Sequence, residues 1–249
     1  MIKRIKIIIE YDGSDYVGWQ NQKNGKSIQG EIEKALLEFF NEKIKLSGAG
    51  RTDSGVHAVG QVAHFDIDKK LIDPEKLHKS INYILSKHKN RISILKSSFE
   101  SDNFHSRFSA RKKKYTYKIL NRSIKSFLYE KKAWFIPTKL DLEKMIKASS
   151  FFIGKVDFNA FRSTHCQASQ SVRSIEKIII KKSKEIIHIN FLGKSFLHNQ
   201  VRIMVGTLVN VGRGKIEVEK VQEILESRDR TKAGPTAPPH GLYLEKVIY

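Results

Sequence analysis

An α+β fold, built on a largely antiparallel mixed sheet with flanking helices, is what this 249-residue sequence predicts. Three observations carry that expectation. Ile5, Ile7, Ile9 and Tyr11 recur with a period of two, which puts them on one face of a strand. Elsewhere apolar residues recur at helical spacing behind Ser27, Asp73 and Asp141, residue types that cap helix N-termini. Strand and helix signals are interspersed without strict alternation, as in an α+β fold rather than a repeated βα unit.

The elements follow in order. Residues 2–11 form a strand, and the polar, glycine-bearing stretch YDGSDYVGWQNQKNGK is a loop. Ser27 caps a helix whose apolar face is Ile28, Ile32, Ala35, Leu36, Phe39 and Phe40. Residues 43–47 read as a short strand, 48–57 as a glycine-rich turn and 58–66 as a strand. Asp73-Pro74 opens a second helix with Leu77, Ile81, Ile84 and Leu85 inward, proline being tolerated in the first turn. Strands follow near 91–98 and 113–120, and 121–140 is irregular and basic. Asp141 caps a helix bearing Leu142, Met145, Ile146 and Phe152, with Gly154 where a C-terminal glycine belongs. Residues 172–181 and 185–192 read as a hairpin pair, 196–211 as a long apolar helix ending at Gly212, 217–226 as a short helix and 241–248 as a last strand. Two similar halves, 1–105 and 106–249, are expected, with no fixed-period repeat.

The chain carries 46 Lys and Arg against 26 Asp and Glu, a net charge of +20. Such a surplus points to a polyanion, nucleic acid before membrane, or to a lysine-rich surface, since 34 of the cations are Lys and 12 are Arg. Clusters such as Lys112–Lys114 and Lys181-Lys182 are spread along the chain, so the charge belongs to a folded surface. The helix candidates mix Glu with their Lys, unlike a basic membrane-binding helix. The single Cys166 excludes an internal disulfide framework and a multi-cysteine zinc site, and the nine histidines lack short ligand spacing, so no metal is expected. No apolar run approaches the roughly 20 residues that span a bilayer. A cytoplasmic, cofactor-free protein is the expectation.

Three segments carry chemistry. Gly48-Ala-Gly-Arg-Thr-Asp-Ser-Gly-Val-His57 sets Arg51 and Asp53 among three glycines, which permit close backbone approach. It is either a reactive loop or a tight β-connection in which Asp53 caps backbone N–H groups. A dinucleotide fingerprint is disfavoured, because its sixth position is Asp53 and a strand follows. Phe104-His-Ser-Arg-Phe-Ser-Ala-Arg-Lys-Lys-Lys-Tyr115-Thr-Tyr117 interleaves five cations with aromatics, as suits phosphate contacts with base stacking or a solvated basic edge over core tyrosines. In Phe196-Leu-His-Asn-Gln-Val-Arg202-Ile-Met-Val-Gly-Thr-Leu-Val209, a buried Arg202 predicts a carboxylate partner, because a lone buried charge costs several kcal/mol. Asp53 is one choice for it, and His198 reads as structural.

In this order, these segments resemble the bacterial tRNA pseudouridine synthase A family over nearly the whole chain. The similarity runs through Tyr11-Asp-Gly, Gly18-Trp-Gln, Gly48 to Ala58, Gln61-Val-Ala-His-Phe-Asp66, Phe104 to Ala110, Tyr115-Thr-Tyr117, Phe161-Arg162, Val201 to Leu208 and Gly241-Leu-Tyr-Leu244. The segment Gly48 to Ala58 is the most specific.

The resemblance implies a pseudouridine synthase-like fold, two halves around a central basic cleft. It implies isomerisation of uridine at tRNA positions 38, 39 and 40, in the anticodon arm, with no cofactor. It implies a homodimer with tRNA spanning both subunits. Asp53 falls on the family nucleophile, and an ordinary aspartate, with a pKa of about 3.9, is ionised at neutral pH. Attack at the sugar and addition to the base both remain open. Arg202 is then the cation that holds this anion, Tyr115 the tyrosine that stacks on the target base, and Arg51 the side chain that assists base flipping. Further tRNA contacts fall on Phe104, His105, Ser106, Arg107 and Phe108, and on His165, Cys166, Gln167, Ala168 and Ser169. The chain departs from the family at Ser54 and Ser106, where Ala is commoner, and at His198-Asn-Gln200, where Tyr-Asn-Met is commoner. A basic contact expected after the Phe65 strand aligns near Leu71, with Lys69 or Lys70 as substitutes.

Overall fold

The computed structural model describes residues 2–23, 25–68 and 73–249, so Lys69, Lys70 and Leu71 lie outside the described residues. In chain order the elements are β1 (Lys3–Tyr11), α1 (Ile28–Phe40), β2 (Ser47–Gly48), β3 (His57–Ile67), α2 (Pro74–Lys87), β4 (Ile92–Glu100), β5 (Lys112–Asn121), β6 (Trp134–Ile136), α3 (Leu142–Ser149), β7 (Gly154–Asp157), β8 (Val172–Ser183), β9 (Ile186–Gly193), α4 (Gln200–Gly212), α5 (Lys220–Ser227) and β10 (Leu242–Ile248). This is a mixed α+β fold with mostly antiparallel pairing. It divides into two compact units, residues 1–111 with 243–249, and residues 112–242.

In the first unit the strand order is β4-β1-β3-β10, with β2 also on β3. The β1–β3 and β1–β4 pairs are antiparallel, and β10 joins β3 in parallel through Tyr243↔His57 and Leu244↔Ala58. That pairing, with the Arg111 N–H donating to the Ile248 carbonyl at 2.8 Å, draws the C-terminal strand into this unit and extends it past the expected division at 105. Period two buries Ile5, Ile7 and Ile9 of β1, and the capped α1 and α2 bury Ile28, Ile32 and Leu36, and Leu77, Ile81 and Leu85. Ser27 Oγ accepts from the Gly30 N–H, and the Asp73 carboxylate from the Glu75 N–H. Phe39, expected on the inward face of α1, is instead 40% exposed.

The second unit orders its strands β5-β9-β8-β7, with β6 parallel to β5. Ile187, Ile189 and Phe191 of β9 are fully buried, as are Ile203, Met204 and Leu208 of α4. Phe152, Phe158 and Phe161 form an aromatic cluster with ring centroids 4.9 to 6.4 Å apart. Ile146, expected inward on α3, is 49% exposed.

Several boundaries differ from the sequence expectation. The strand expected at 43–47 is reduced to Ser47–Gly48. Ile44 and Leu46 are buried alternately, but Leu46 bonds through its N–H to Glu33 and through its carbonyl to Gln29, both on α1, instead of entering a ladder. The helix expected over 196–211 starts at Gln200, because Asn199 takes a left-handed φ of 62° that ends any helix through it. Phe196 and Leu197 matched the helical period but point to other partners. The region 121–140 contains β6, three residues long and too short to show a period.

Candidate functional site

In the first unit, residues 49–56 leave the ladder between β2, paired at Ser47↔His64 and Gly48↔Ala63, and the start of β3. The backbone of this excursion is tied repeatedly. The Ala49 N–H donates to the Val62 carbonyl at 2.7 Å, and the fully buried Gln61 amide donates to the Gly50 carbonyl at 2.9 Å. The Thr52 carbonyl accepts from the Trp19 N–H at 3.0 Å, and the Asp53 carbonyl from the Val56 N–H at 3.1 Å. The latter bond closes a turn in which Gly55 has φ +77°, the value of the third position of a type II turn. Gly18 lies across from it at φ +110°, where a Cβ would stand 2.7 Å from the Thr52 carbonyl oxygen. The Thr52 hydroxyl meets the buried Tyr11 hydroxyl at 2.7 Å, and burial pushes the Tyr11 pKa upward. A half-buried Asp53 and an exposed Arg51 project from this bonded turn. At its end His57 stacks on Tyr243 at 4.7 Å. The Gly13 N–H donates to His57 Nδ1 at 3.1 Å, and Asp12 Oδ1 lies at the same distance from that nitrogen.

The Phe104–Phe108 turn is bonded to the strand that leads into the Asp53 excursion. Ser106, fully buried, donates its hydroxyl to the Ser47 carbonyl at 2.7 Å, one residue before Gly48. Its oxygen lies 2.9 Å from His64 Nδ1, and the Tyr249 hydroxyl donates to its carbonyl at 2.7 Å. Burial, then the charges of His105 and Arg4, lower the His64 pKa to about 4, so this ring is neutral near pH 7. His105 Nδ1 accepts from the Arg107 N–H at 3.1 Å, which holds the turn. Phe104 is buried against Tyr249, whereas Phe108 is 76% exposed, with Arg107 beside its ring at 5.6 Å.

In the second unit the structure gathers three of the segments singled out from sequence. Tyr115 on β5 meets Phe196 edge-on, with ring centroids 5.2 Å apart. The Ser163 N–H donates to the His198 carbonyl at 3.0 Å, which ties the loop carrying His165 to Ser169 to the approach of α4. In that loop His165, Gln167 and Ser169 are exposed, Cys166 and Ala168 are half-buried, and Arg162 donates to the Ala168 carbonyl at 3.1 Å. Tyr117, expected on the same face as Tyr115, is fully buried and donates to the Pro238 carbonyl at 2.7 Å; burial raises its pKa.

Arg202 corrects one premise. It is half-buried, and its guanidinium donates to the Ala237 carbonyl and to Asn199 Oδ1, both at 2.8 Å. The Ala237 N–H returns a bond to the Arg202 carbonyl at 3.1 Å. This two-way contact depends on Gly206, whose absent Cβ would fall 1.8 Å from the Pro235 carbonyl oxygen.

The family model described as tRNA pseudouridine synthase matches residues 7–109 and 148–249. The chain belongs to that family. It is 44% identical over 246 residues to tRNA pseudouridine synthase A of Sinorhizobium fredii (strain NBRC 101917 / NGR234), covering 99% of both chains. It is 46% identical over 247 residues to that of Ehrlichia canis (strain Jake), covering 99% of this chain and all of the other. To that of Thermoanaerobacter sp. (strain X514) it is 43% identical over 248 residues, the whole of both chains. As a member of the tRNA pseudouridine synthase family, the chain is an isomerase.

Sequence reasoning missed the side chains that hold the candidate residues. Asn199 stood in a quoted segment, and its type, tolerant of a left-handed backbone, was the available signal. Neither Ser106 as a link to Ser47 nor the Tyr249 bond had a local signal, since their partners lie 59 and 143 residues away. Among the described residues, no cluster of three or more His, Cys, Asp or Glu is arranged to hold a metal ion, and no helix is long and apolar enough to cross a membrane.

Proposed function

We propose that this isomerase converts uridine to pseudouridine at positions 38, 39 and 40 of the tRNA anticodon arm, with Asp53 as nucleophile. The N1–C1′ bond of the nucleotide breaks and a C5–C1′ bond forms. One proton leaves C5 and one arrives at N1, so the product has the mass of the substrate. A base inside a stacked arm hides these atoms, so the target nucleotide is flipped out. Arg51, exposed beside Asp53 on the same turn, fills the space left in the stack.

Tyr115 is assigned the stacking contact on the flipped base, and Arg202 the cation for the Asp53 carboxylate. These assignments rest on side-chain chemistry and on the family-like segments that carry them. The exposed Arg107 and Phe108, with the 165–169 loop, supply further RNA contacts. A cytoplasmic homodimer, with tRNA spanning both subunits, belongs to the same reading.

The observation that carries the proposal is the bonded excursion that holds a half-buried carboxylate two residues from an exposed cation, in a chain whose surplus charge suits RNA. Chemical mapping of pseudouridine in an unmodified tRNA tests it. Wild-type protein is expected to mark the anticodon arm. Asp53→Asn is expected to lose turnover by about 10³-fold or more, as loss of a nucleophile does, while tRNA affinity stays within a few-fold. Near-normal turnover in that variant would remove Asp53 from its role.

A further inference from the structure

The loop after β5, residues 122–132, lies in the stretch that neither matched segment of the family model covers. It is held at both feet. Arg122 pairs with Glu185 at 2.7 Å, and the Asn121 amide donates to the Ile136 and Thr138 carbonyls at 3.0 and 2.7 Å. A short turn over Phe127–Tyr129 closes it, with the Lys132 and Ala133 N–H groups on the Tyr129 carbonyl. From this fixed base Ile124, Phe127 and Leu128 stand 73%, 79% and 90% exposed.

An ordered tip this apolar leaves its surface uncovered at a cost, and its charges say what covers it. Arg122, Lys125, Lys131 and Lys132 flank the tip in sequence against one carboxylate within the loop, Glu130, which pairs with Lys125 at 3.2 Å and leaves the loop net basic. Lys125 Nζ sits 5.3 Å from the centre of the Phe127 ring. An exposed ring flanked by cations is how proteins bind unpaired or terminal bases: the face stacks, and the cations neutralise phosphates. A second copy of the chain is the competing occupant, and the cations local to the tip favour a polyanion over it.

We infer that the 122–132 loop is a further RNA-contact surface, with Phe127 stacking on a base and Leu128 packing beside it. The inference rests on the tRNA reading above. Tyr115 and Arg122 are seven residues apart on an extended chain, so the loop stands about 20 Å along β5 from the tyrosine assigned to the target base. The loop therefore grips tRNA away from the reacting nucleotide and contributes to which RNA is held rather than to the chemistry.

The test measures binding of an unmodified tRNA transcript, pseudouridine formation, and the sedimentation of the protein alone. The double variant Phe127→Ala/Leu128→Ala is expected to weaken tRNA binding about 5- to 100-fold, the span that loss of a stacked base gives, with sedimentation unchanged. Phe127→Trp keeps an aromatic face. It is expected to bind like wild type and to show fluorescence quenching on tRNA addition beyond that of Trp19 and Trp134. Unchanged affinity in the double variant, no added quenching, or a changed mass of the protein alone would overturn the inference, the last pointing to a protein contact. A wild-type protein that forms no pseudouridine in the tRNA would instead sink the functional reading itself.

Discussion

Around Asp53, in the first unit, the backbone is bonded at Ala49, Gly50, Thr52 and at the Asp53 carbonyl itself. Around Arg202, in the second unit, the helix backbone is ordinary and the guanidinium is held at its tip by Ala237 and Asn199. Both regions need a glycine, for different reasons. Gly18 supplies a left-handed residue against a carbonyl, and Gly206 lets an extended segment press on a helix so that its carbonyl reaches Arg202. A short carboxylate is aimed by fixing the chain close to it. A long cation has rotamers to spare and is aimed by fixing its far end.

The comparison can be broken from either side. Gly18→Ala is expected to have the largest effect, destabilising the protein by about 2–4 kcal/mol, because a left-handed φ and a backbone clash add. Denaturant unfolding measures this; a loss under 1 kcal/mol would show that the turn yields. Gly206→Ala is expected to cost about 2 kcal/mol, although alanine in a helix interior is normally better than glycine by about 1 kcal/mol. A stabilised variant would show that the 234–237 segment moves aside. Asn199→Ala removes one acceptor of Arg202 and a residue suited to a left-handed backbone. It is expected to lower kcat about 5- to 30-fold, the equivalent of 1–2 kcal/mol in positioning. Asn199→Gly separates the two causes: it keeps the backbone and loses the acceptor, so an equal fall in kcat assigns the effect to the bond.

A pH-dependent effect sharpens the first unit. His64 has its pKa depressed to about 4 in the folded chain, against about 6.5 when unfolded. Between these values the unfolded chain binds more protons, so its contribution to stability is complete above pH 6.5 and is lost as pH falls toward 4. His64→Asn is expected to flatten the stability–pH curve in that window. An unchanged slope would mean that other groups set it.

Much of the fold was legible in local pattern. Period two marked β1, residues 172–181 and 185–192 were readable as the hairpin pair β8 and β9, and Ser27, Asp73 and Asp141 marked the starts of α1, α2 and α3, because strand faces and helix caps are set by neighbours in sequence. The failures share a cause. Ile44 and Leu46 alternate like a strand, but whether they enter a ladder depended on a distant partner, and α1 took their backbone bonds instead. Phe196 and Leu197 continued the apolar run of α4, and only the left-handed Asn199 separated them from it. Of the candidate site, the Gly48–His57 excursion was readable as a unit. The bond that holds Arg202 was not, since the Ala237 carbonyl that accepts it lies 35 residues away.

From the sequence alone came the α+β class, the family, the charge that suits RNA and the residues able to do chemistry. Each of these depends on residue type and short-range order. The tertiary structure alone decided which backbone groups hold the Asp53 turn, that Ser106 joins the Phe104–Phe108 turn to Ser47, that Asn199 and Ala237 hold Arg202, and that Phe127 and Leu128 stand in solvent. All of these are contacts or exposures set across tens of residues, and burial has no local code: an apolar side chain reads the same in sequence whether folding covers it or leaves it for a partner.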